Sequence, residues 1–259
     1  MDFKELPQKI ETEIFKLHKK RYRKETYKYI IEGIICINEL LNAGIEPFYV
    51  VCSDEFINSE KSVDILSKLK KIKVPIYTIS TKTFEKMVDT VSPQGIFCVA
   101  PMKFIPMETA LKKQDSKILI LDRMSDPGNL GTIIRSAAAF NFSGIFILSN
   151  SVELYNMKVI RSALGSHLHI PILYDIEANF VLDTLKEKEF KIFAAVPSDG
   201  EPYYSVLNKK DKIAIIIGNE HHGIDPEILK NDYIKKIRIL LNSKIESLNA
   251  VVFVSVIMA

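Results

Sequence analysis

Apolar residues follow two rhythms along this chain. Short continuous runs of Ile, Val and Leu predict buried strands, and apolar residues spaced three or four positions apart predict helices between them. In the second half the predicted strands are Ile118–Leu121, Gly144–Leu148, Ile170–Leu173, Ile192–Val196, Ile213–Ile217 and Ile237–Leu241. Continuous apolar strands alternating with helices are typical of a parallel sheet covered on both faces, so residues 117–259 are predicted to form an α/β domain.

The first half alternates the same rhythms over shorter stretches. Its predicted helices are Glu11–Lys20, Gly33–Asn42, Val63–Lys71 and Phe84–Val88, and its predicted strands are Tyr27–Ile31, Phe48–Cys52, Ile76–Ile79 and Gly95–Ala100. Residues 106–116 contain Pro106 and a charged run and show no pattern typical of a core. We therefore predict a smaller N-terminal α/β domain at 1–105, a linker at 106–116 and a C-terminal domain at 117–259.

Composition narrows the class of protein. Of the 259 residues, 47% are hydrophobic and 26% charged, which is typical of a soluble globular protein. No apolar run approaches the ~20 residues that span a bilayer, and the first residues lack an apolar leader, so we expect a cytoplasmic protein. The net charge of +3 permits a nucleic-acid partner without requiring one. Cys36, Cys52 and Cys98 lie in apolar runs and are predicted to be reduced core residues.

Parallel sheets bind ligands at the carboxyl ends of their strands, so the loops there are the place to look for chemistry. The loop after Ile118–Leu121 contains an Asp-Pro-Gly-Asn turn, in which Asn129 is predicted to cap the next helix. Arg135 lies inside that helix among small and apolar residues. An arginine in such surroundings usually has an anionic partner, although a surface position is the alternative.

The loop after Ile213–Ile217 contains Gly218, which lets backbone approach a ligand, and Glu220 at the strand end. Asp225 and Pro226 are predicted to begin a further helix. The adjacent pair His221 and His222, with His167 and His169 elsewhere, raises the question of a metal site. We predict no metal, because adjacent side chains point apart and the spacing is not that of a zinc site.

A third polar segment contains Ser247 and Asn249 and leads into the apolar run 251–258. By composition alone this is a helix cap followed by a buried helix. A fourth segment, residues 158–167, reads as an ordinary helix that ends at a glycine.

In this order the segments resemble the SpoU/TrmH family of SPOUT methyltransferases. Asn129-x-Gly-x-x-x-Arg135 resembles the first family motif, Gly218-Asn219-Glu220 the second and Ser247-Leu248-Asn249-Ala250 the third. Shorter similarities are Arg161-Ser162-Ala163 with Gly165-Ser166, Lys20-Arg21-Tyr22-Arg23, Glu32-Gly33 and Ser92-Pro93-Gln94-Gly95-Ile96. One short motif recurs by chance, whereas three in order, each near a predicted strand end, make a specific match.

The resemblance implies a C-terminal domain with a deep trefoil knot and an N-terminal substrate-binding domain similar to RNA-binding ribosomal proteins. It implies methylation of a ribose 2′-hydroxyl in RNA by S-adenosylmethionine, with large-subunit ribosomal RNA as the expected substrate, and a homodimer formed through the knotted domain. The family's cofactor contacts match Gly218, Asn219, Ile239 and Leu248. Its catalytic positions match Arg135, Asn129, Glu220, Ser247 and Asn249.

Arg135 corresponds to the family's catalytic arginine. Because a guanidinium resists deprotonation, we interpret it as a phosphate clamp that also stabilises the forming alkoxide rather than as a general base. The expected RNA contacts are basic residues near the N-terminus: Lys19, Lys20, Arg21, Arg23 and Lys24. A solvated charged helix is the alternative for that cluster.

Two other classes of function stay open at this point. The third motif departs from the family pattern at Leu240 and Ser243, which would suit a catalytically weak or silent relative that binds RNA. A methyltransferase acting on a base or on a protein side chain is the other. The Asn129 and Arg135 pair, together with Ser247 and Asn249, resembles the ribose-directed branch instead.

Overall fold

The computed structural model describes residues 4–208, 210–242 and 248–258. Two compact units make up the chain. Unit 1 contains the residues up to Lys103 together with Tyr155–Leu168, and unit 2 contains Phe104–Leu154 and the residues from His169 onward. Each unit is described by itself.

Residues 4–103 form one mixed sheet with helices around it. Its elements are, in chain order, β1 (Lys4–Glu5), α1 (Gln8–Leu17), α2 (Lys20–Thr26), β2 (Lys28–Glu32), α3 (Ile34–Asn42), β3 (Tyr49–Ser53), α4 (Asp54–Ile57), α5 (Ser62–Lys71), β4 (Ile76–Ile79), α6 (Thr81–Glu85) and β5 (Ile96–Pro101). Over the described residues the strand order is β1-β4-β3-β5-β2, with β5 antiparallel to both its neighbours and the other pairs parallel. The predicted strands of this half are confirmed to within about one residue at each end.

The rest of the chain alternates strand and helix. Its elements are α7 (Glu108–Leu111), β6 (Lys117–Leu121), α8 (Pro127–Ala139), β7 (Gly144–Leu148), α9 (Met157–Ala163), a 3₁₀ turn (Ser166–Leu168), β8 (Ile172–Ile176), α10 (Ala178–Glu187), β9 (Lys191–Ala195), β10 (Glu201–Pro202), α11 (Tyr203–Val206), β11 (Ile213–Ile217), α12 (Pro226–Leu229), β12 (Ile234–Arg238) and α13 (Ala250–Met258).

Unit 2 is built on a parallel sheet. In the described part of the chain its strand order is β10-β12-β9-β11-β6-β7-β8, and every pair is parallel. All five residues of β11 are buried, so the apolar side chains that project from both faces of this central strand are covered on each side of the sheet. The predicted α/β fold with a parallel sheet is confirmed.

Several local predictions are wrong, each for an identifiable reason. Residues 106–116 were expected to hold no core, but Met107, Ala110 and Leu111 pack into the core of unit 2. The last strand lies three residues earlier than predicted, because Ile234 and Ile237 are its buried residues and the run that continues to Leu241 is partly exposed.

The start of α8 also differs from the prediction. Asp126, and not Asn129, caps this helix: its carboxylate accepts the Asn129 backbone N–H at 2.7 Å. Pro127 then fills the first helical position, where a missing N–H costs nothing. Asn129 is therefore inside the first turn, which frees its side chain for another partner. The predicted cap at Asp225 before Pro226 is confirmed.

The segment Tyr155–Leu168 contains α9 and the 3₁₀ turn, and it packs within unit 1. There Arg161 pairs with Glu32, and His167 Nε2 lies 2.9 Å from the Tyr29 hydroxyl. The division drawn from sequence put these residues in the C-terminal domain, since they lie between two strands of the unit 2 sheet.

The three cysteines are buried and free, as predicted. Burial raises the pKa of the Cys36 thiol to about 11 and that of Cys52 to about 12. Across the described residues, no helix combines the length and the apolar character that crossing a membrane requires.

Candidate active site

A cavity of about 770 Å³ opens in unit 2 where four adjacent strands end. Loops after β6, β9, β11 and β12 contribute its walls, and the first turn of α13 closes one side. Its lining residues are Ser125, Asp126, Asn129, Ala195, Val196, Pro197, Ile217, Gly218, Asn219, Glu220, His221, Gly223, Ile239, Leu241, Leu248, Asn249, Ala250 and Phe253. Its volume lies within the range of small-molecule sites.

The loop after β11 folds back on itself through Asn219. The backbone N–H and C=O groups of Asn219 and Gly223 bond to each other in both directions, each at 3.0 Å. The Asn219 side-chain oxygen also accepts the N–H groups of His221 and His222, at 2.9 and 3.0 Å. A Cβ on Gly218 would lie 2.2 Å from the carbonyl carbon of Gly223, so only glycine fits at the base of this loop.

Asp122 and Arg123 tie this loop to the one after β6. The buried Asp122 carboxylate accepts the Asp225 N–H at 2.7 Å and lies 3.3 Å from Nε of Arg123. Arg123 itself donates to the Gly223 carbonyl at 3.3 Å, and its own carbonyl accepts Nδ2 of Asn219 at 2.8 Å. Burial raises the pKa of Asp122, against the lowering effect of these donors. None of Asp122, Arg123 and Asp225 lines the cavity. The Asp122 and Arg123 pair, called the Asp122–Arg123 clamp below, therefore holds the loop that forms the cavity wall without lining the cavity itself.

Glu220 occupies the centre of a small polar group inside the cavity. Nδ2 of Asn129 donates to its Oε1 at 3.0 Å, and the Ser125 hydroxyl donates to its Oε2 at 3.1 Å. Partial burial disfavours the charged form of Glu220, but the hydrogen bonds from Asn129, Ser125 and the backbone together outweigh it and lower the pKa of this carboxyl below its usual value. Glu220 is therefore an ionised acceptor at neutral pH.

The cavity brings together most of the residues predicted from sequence. It is lined by all four predicted cofactor contacts, Gly218, Asn219, Ile239 and Leu248, and by three of the predicted catalytic residues, Asn129, Glu220 and Asn249. Ser247 lies outside the described residues, as does Ser243.

Arg135 does not line this cavity. It is exposed on α8, six residues after Asn129. Six residues turn an α-helix by about 600°, so the two side chains leave the helix about 120° apart and about 9 Å apart along its axis. With Asn129 in the cavity, Arg135 projects to the side of it.

The basic N-terminal cluster divides in two. Lys19, Lys20, Arg21 and Lys24 are exposed. Arg23 is only 4% exposed, and its Nη1 donates to the Leu17 carbonyl at 2.7 Å. Arg23 therefore holds the end of α1, and its buried side chain does not support the predicted RNA contact.

Sequence reasoning missed part of the site. Ser125 and the Asp122–Arg123 clamp lie in the very loop that drew attention, but their partners are about a hundred residues away. Pro197 could have been predicted, because it follows β9 and ligands of a parallel sheet bind at the carboxyl ends of its strands. Within the described ranges, no three His, Cys, Asp or Glu side chains are grouped so that they could hold a metal ion.

Comparison with known proteins agrees with this geometry. The profile of the SpoU rRNA Methylase family matches residues 116–259, and that of the MRM3-like substrate binding domain matches residues 10–98. The 23S rRNA (guanosine(2553)-2′-O)-methyltransferase RlmP of Bacillus subtilis is 31% identical over 243 residues, which cover 93% of this chain and 91% of that protein.

Solved structures share the whole fold. The S-adenosylmethionine-bound rRNA methyltransferase of Sinorhizobium meliloti has a TM-score of 0.83 at 22% identity, covering 98% of this chain and 94% of that one. The SpoU methyltransferase AviRb of Streptomyces viridochromogenes, in complex with the same cofactor, has a TM-score of 0.82 at 18% identity, covering 98% and 96%. The chain belongs to the SpoU rRNA methylase family, with the SPOUT fold in unit 2. The knot implied by the resemblance stays a prediction, because its path includes residues outside the described ranges.

Proposed function

We propose that this protein transfers a methyl group from S-adenosylmethionine to a ribose 2′-hydroxyl of ribosomal RNA. The observation that carries the proposal is the cavity itself: Asn129, Gly218, Glu220 and Asn249 come from three distant segments and meet at the strand ends. The large-subunit substrate is supported by the name of the B. subtilis relative, which is similar over nearly its full length.

The residues present fit the cofactor. Gly218 leaves room for no Cβ, so bare backbone forms the wall there. Ile239, Leu241 and Leu248 supply apolar surface, and Glu220 supplies a negative charge for a cationic ligand. When bound, S-adenosylmethionine supplies an electrophilic methyl group on a positively charged sulfur.

The protein's own groups orient the ribose. Asn129 and Ser125 fix the Glu220 carboxylate, which can accept a hydrogen bond from a hydroxyl and hold it in one direction. Asn249 lines the same cavity, and we assign it and Ser247 the role of placing the ribose and cofactor together. Arg135 binds the phosphate next to the reacting ribose and stabilises the developing negative charge on the 2′-oxygen.

Because Arg135 does not line its own protomer's cavity, we propose that it acts in a homodimer formed through unit 2, in the partner's site. The surface of α8 and α13 suits such an interface. Val252 is 49% exposed, Val256 36% and Phe140 38%, and the two helices are in contact through Ser136 and Ser255. Exposed apolar side chains of this kind are stabilised by burial against a second copy.

Lys19, Lys20, Arg21 and Lys24 are proposed to contact RNA phosphates. Each such contact should steepen the salt dependence of binding by about 0.7–0.9 log units per decade. A catalytically silent RNA-binding relative is not favoured, since the cavity is well formed despite Leu240. We also propose that the reaction takes place in the cytoplasm, which the similarity to a bacterial rRNA methyltransferase supports.

Mapping of 2′-O-methylated nucleotides in total RNA, with and without the gene, tests the proposal. The expected result is one ribosomal RNA position that loses its methyl group without the gene and regains it when purified protein and S-adenosylmethionine are added. An unchanged methylation map, with no methyl transfer to ribosomal RNA in vitro, would refute it.

A further inference from the structure

Unit 1 contains a second, smaller cavity of about 110 Å³ that the methyl-transfer chemistry does not use. It lies where β2 ends and α3 begins, and residues 90–94 and α9 form its other walls. Its polar lining includes Glu32, Thr90, Gln94 and Arg161. Most of the short similarities in the first hundred residues fall on these segments, and the proposed reaction leaves them without a role.

Glu32 is a buried acid at this cavity, 7% exposed. The Thr90 hydroxyl donates to its Oε2 at 2.6 Å, and Nη1 of Arg161 lies 3.2 Å from the same oxygen. A buried carboxylate is costly unless it is paired, and these two donors provide the pairing. In the described part of the chain both donors take Oε2, which leaves Oε1 as an acceptor for a ligand.

Gln94 provides the complementary donor. Its side-chain oxygen accepts the backbone N–H of Ile34 at 3.0 Å, and this hydrogen bond fixes the orientation of the amide. The Gln94 side chain also lies against Gly33, where a Cβ would come within 3.2 Å of Oε1. Nε2 of Gln94 is then a donor in the same small cavity as the acceptor of Glu32, and Arg161 lines that cavity too.

Two exposed aliphatic side chains accompany these polar groups. Ile35 lines the cavity and is 55% exposed, and Val91, between the lining residues Thr90 and Ser92, is fully exposed. A single exposed Val or Ile is ordinary. Two of them at the edge of a polar cavity provide an apolar surface against which the faces of a ligand's flat ring can pack. Hydrogen-bonding groups for a base edge, together with a guanidinium plane on which a ring can stack, are features that recognise an unstacked base, and Glu32, Gln94 and Arg161 bring both to this cavity.

Resting on the proposed function, we infer that this cavity binds one unstacked base of the RNA substrate, and that it prefers cytosine. Cytosine presents an amino donor next to a ring acceptor, which matches Glu32 and Gln94, whereas uracil presents a carbonyl in place of the amino group. The cavity is small, about 110 Å³, which favours the single ring of a pyrimidine over the two rings of a purine.

Fluorescence anisotropy with the full-length protein tests this. The probes are labelled hexacytidylate, hexauridylate and a ribose-phosphate chain of the same length without bases. All three have the same phosphate charge. We expect hexacytidylate to bind roughly tenfold tighter than the other two, because one satisfied base contact is worth about a factor of ten.

Val91→Ser and Gln94→Ala should each lower hexacytidylate affinity about three- to tenfold and leave the base-free chain unchanged. The salt dependence should keep its slope, since no phosphate contact is lost. Val63→Ser, at another exposed valine of unit 1, is the matched control and should change nothing. Glu32→Gln should remove the preference for cytosine over uracil.

Equal binding of hexacytidylate and the base-free chain would overturn the inference. So would variants of Val91 and Gln94 that bind all probes like the wild type. If Glu32→Gln lowers only the melting temperature while the cytosine preference persists, Glu32 is a structural ion-pair partner and the inference also fails. Ribosomal RNA methylation is measured separately on the same preparations, so loss of this inference leaves the proposed function standing.

Discussion

Replacing Gly218 with alanine perturbs the place where the 218–225 loop comes closest to itself. The added Cβ would lie 2.2, 2.3 and 2.4 Å from the carbonyl carbon of Gly223, the nitrogen of Ile224 and the carbonyl oxygen of Gly223. Ordinary contacts between such atoms are about 3.5–4.0 Å. All three neighbours are backbone, so the two sides of the loop must separate by more than 1 Å, roughly, for the substitution to fit.

The structure gives the size of the effect. Separation breaks the two Asn219–Gly223 backbone hydrogen bonds, each worth about 0.5–1.5 kcal/mol net. Overpacking that remains adds about 1–3 kcal/mol. The native loop conformation should therefore lose about 2–6 kcal/mol relative to displaced ones, from the ranges just given. Since this loop lines the cavity, S-adenosylmethionine affinity should fall by at least about thirtyfold, the factor for 2 kcal/mol.

Isothermal titration calorimetry with S-adenosylmethionine measures this loss, and circular dichroism checks that the fold is retained. Gly44→Ala is the matched control: Gly44 has φ +70° with no atom within 4 Å of an added Cβ, and it lies in unit 1. That variant should pay the cost of a left-handed alanine, about 1–2 kcal/mol, with unchanged cofactor affinity. A Gly218→Ala variant that binds the cofactor within threefold of the wild type would refute the role assigned to this close approach.

Three further predictions concern the polar groups of unit 2. Glu220→Gln should destabilise the protein at neutral pH. The pKa of Glu220 is lowered in the folded state, so its ionised carboxylate stabilises the fold above the usual carboxyl pKa range, and this stabilisation fades as the pH falls through the folded pKa. The melting temperatures of variant and wild type should therefore converge at acidic pH. A difference that stays constant with pH would contradict this. Arg135→Ala should abolish methyl transfer with cofactor affinity nearly intact. If Arg135 acts in the partner's site, an equimolar, subunit-exchanged mixture of this variant with Glu220→Gln should recover about a quarter of the activity. No recovery would place Arg135 in its own protomer's site. Arg123→Ala should raise the KM for S-adenosylmethionine several-fold with little change in kcat, because Arg123 supports the cavity wall without lining the cavity. Lys82→Ala, at an exposed cation of unit 1 outside the proposed RNA contacts, is the control, and a fall in kcat at constant KM would count against the role of Arg123.

Helical and strand periodicity located most elements correctly because it reports local burial. The strand Ile213–Ile217 is a continuous apolar run and is buried at every residue, so the local sequence pattern was enough to locate it. The start of α8 was misplaced for an equally local reason. Asp126 and Asn129 are both good caps, and only the observed bond between them shows which one caps the helix.

The site divides in the same way. The sequence was enough to predict four residues that line the cavity, Gly218, Asn219, Ile239 and Leu248, because they match positions in the family's motifs. The environment of Glu220 could not, since its lowered pKa depends on Asn129 and Ser125, more than ninety residues earlier. Such contacts leave no trace in local spacing.

The order of apolar and polar residues was enough to locate most of the strands, because buried strands follow from which side chains avoid water. The family motifs then located the segments that carry the candidate chemistry. Tertiary structure decided which charged groups are usable. It buried Arg23 against the end of α1, turned Arg135 away from the cavity that Asn129 lines, and paired Glu32 with Arg161 across 129 residues of chain. A charge is stabilised by whatever surrounds it in space, and folding alone supplies those neighbours.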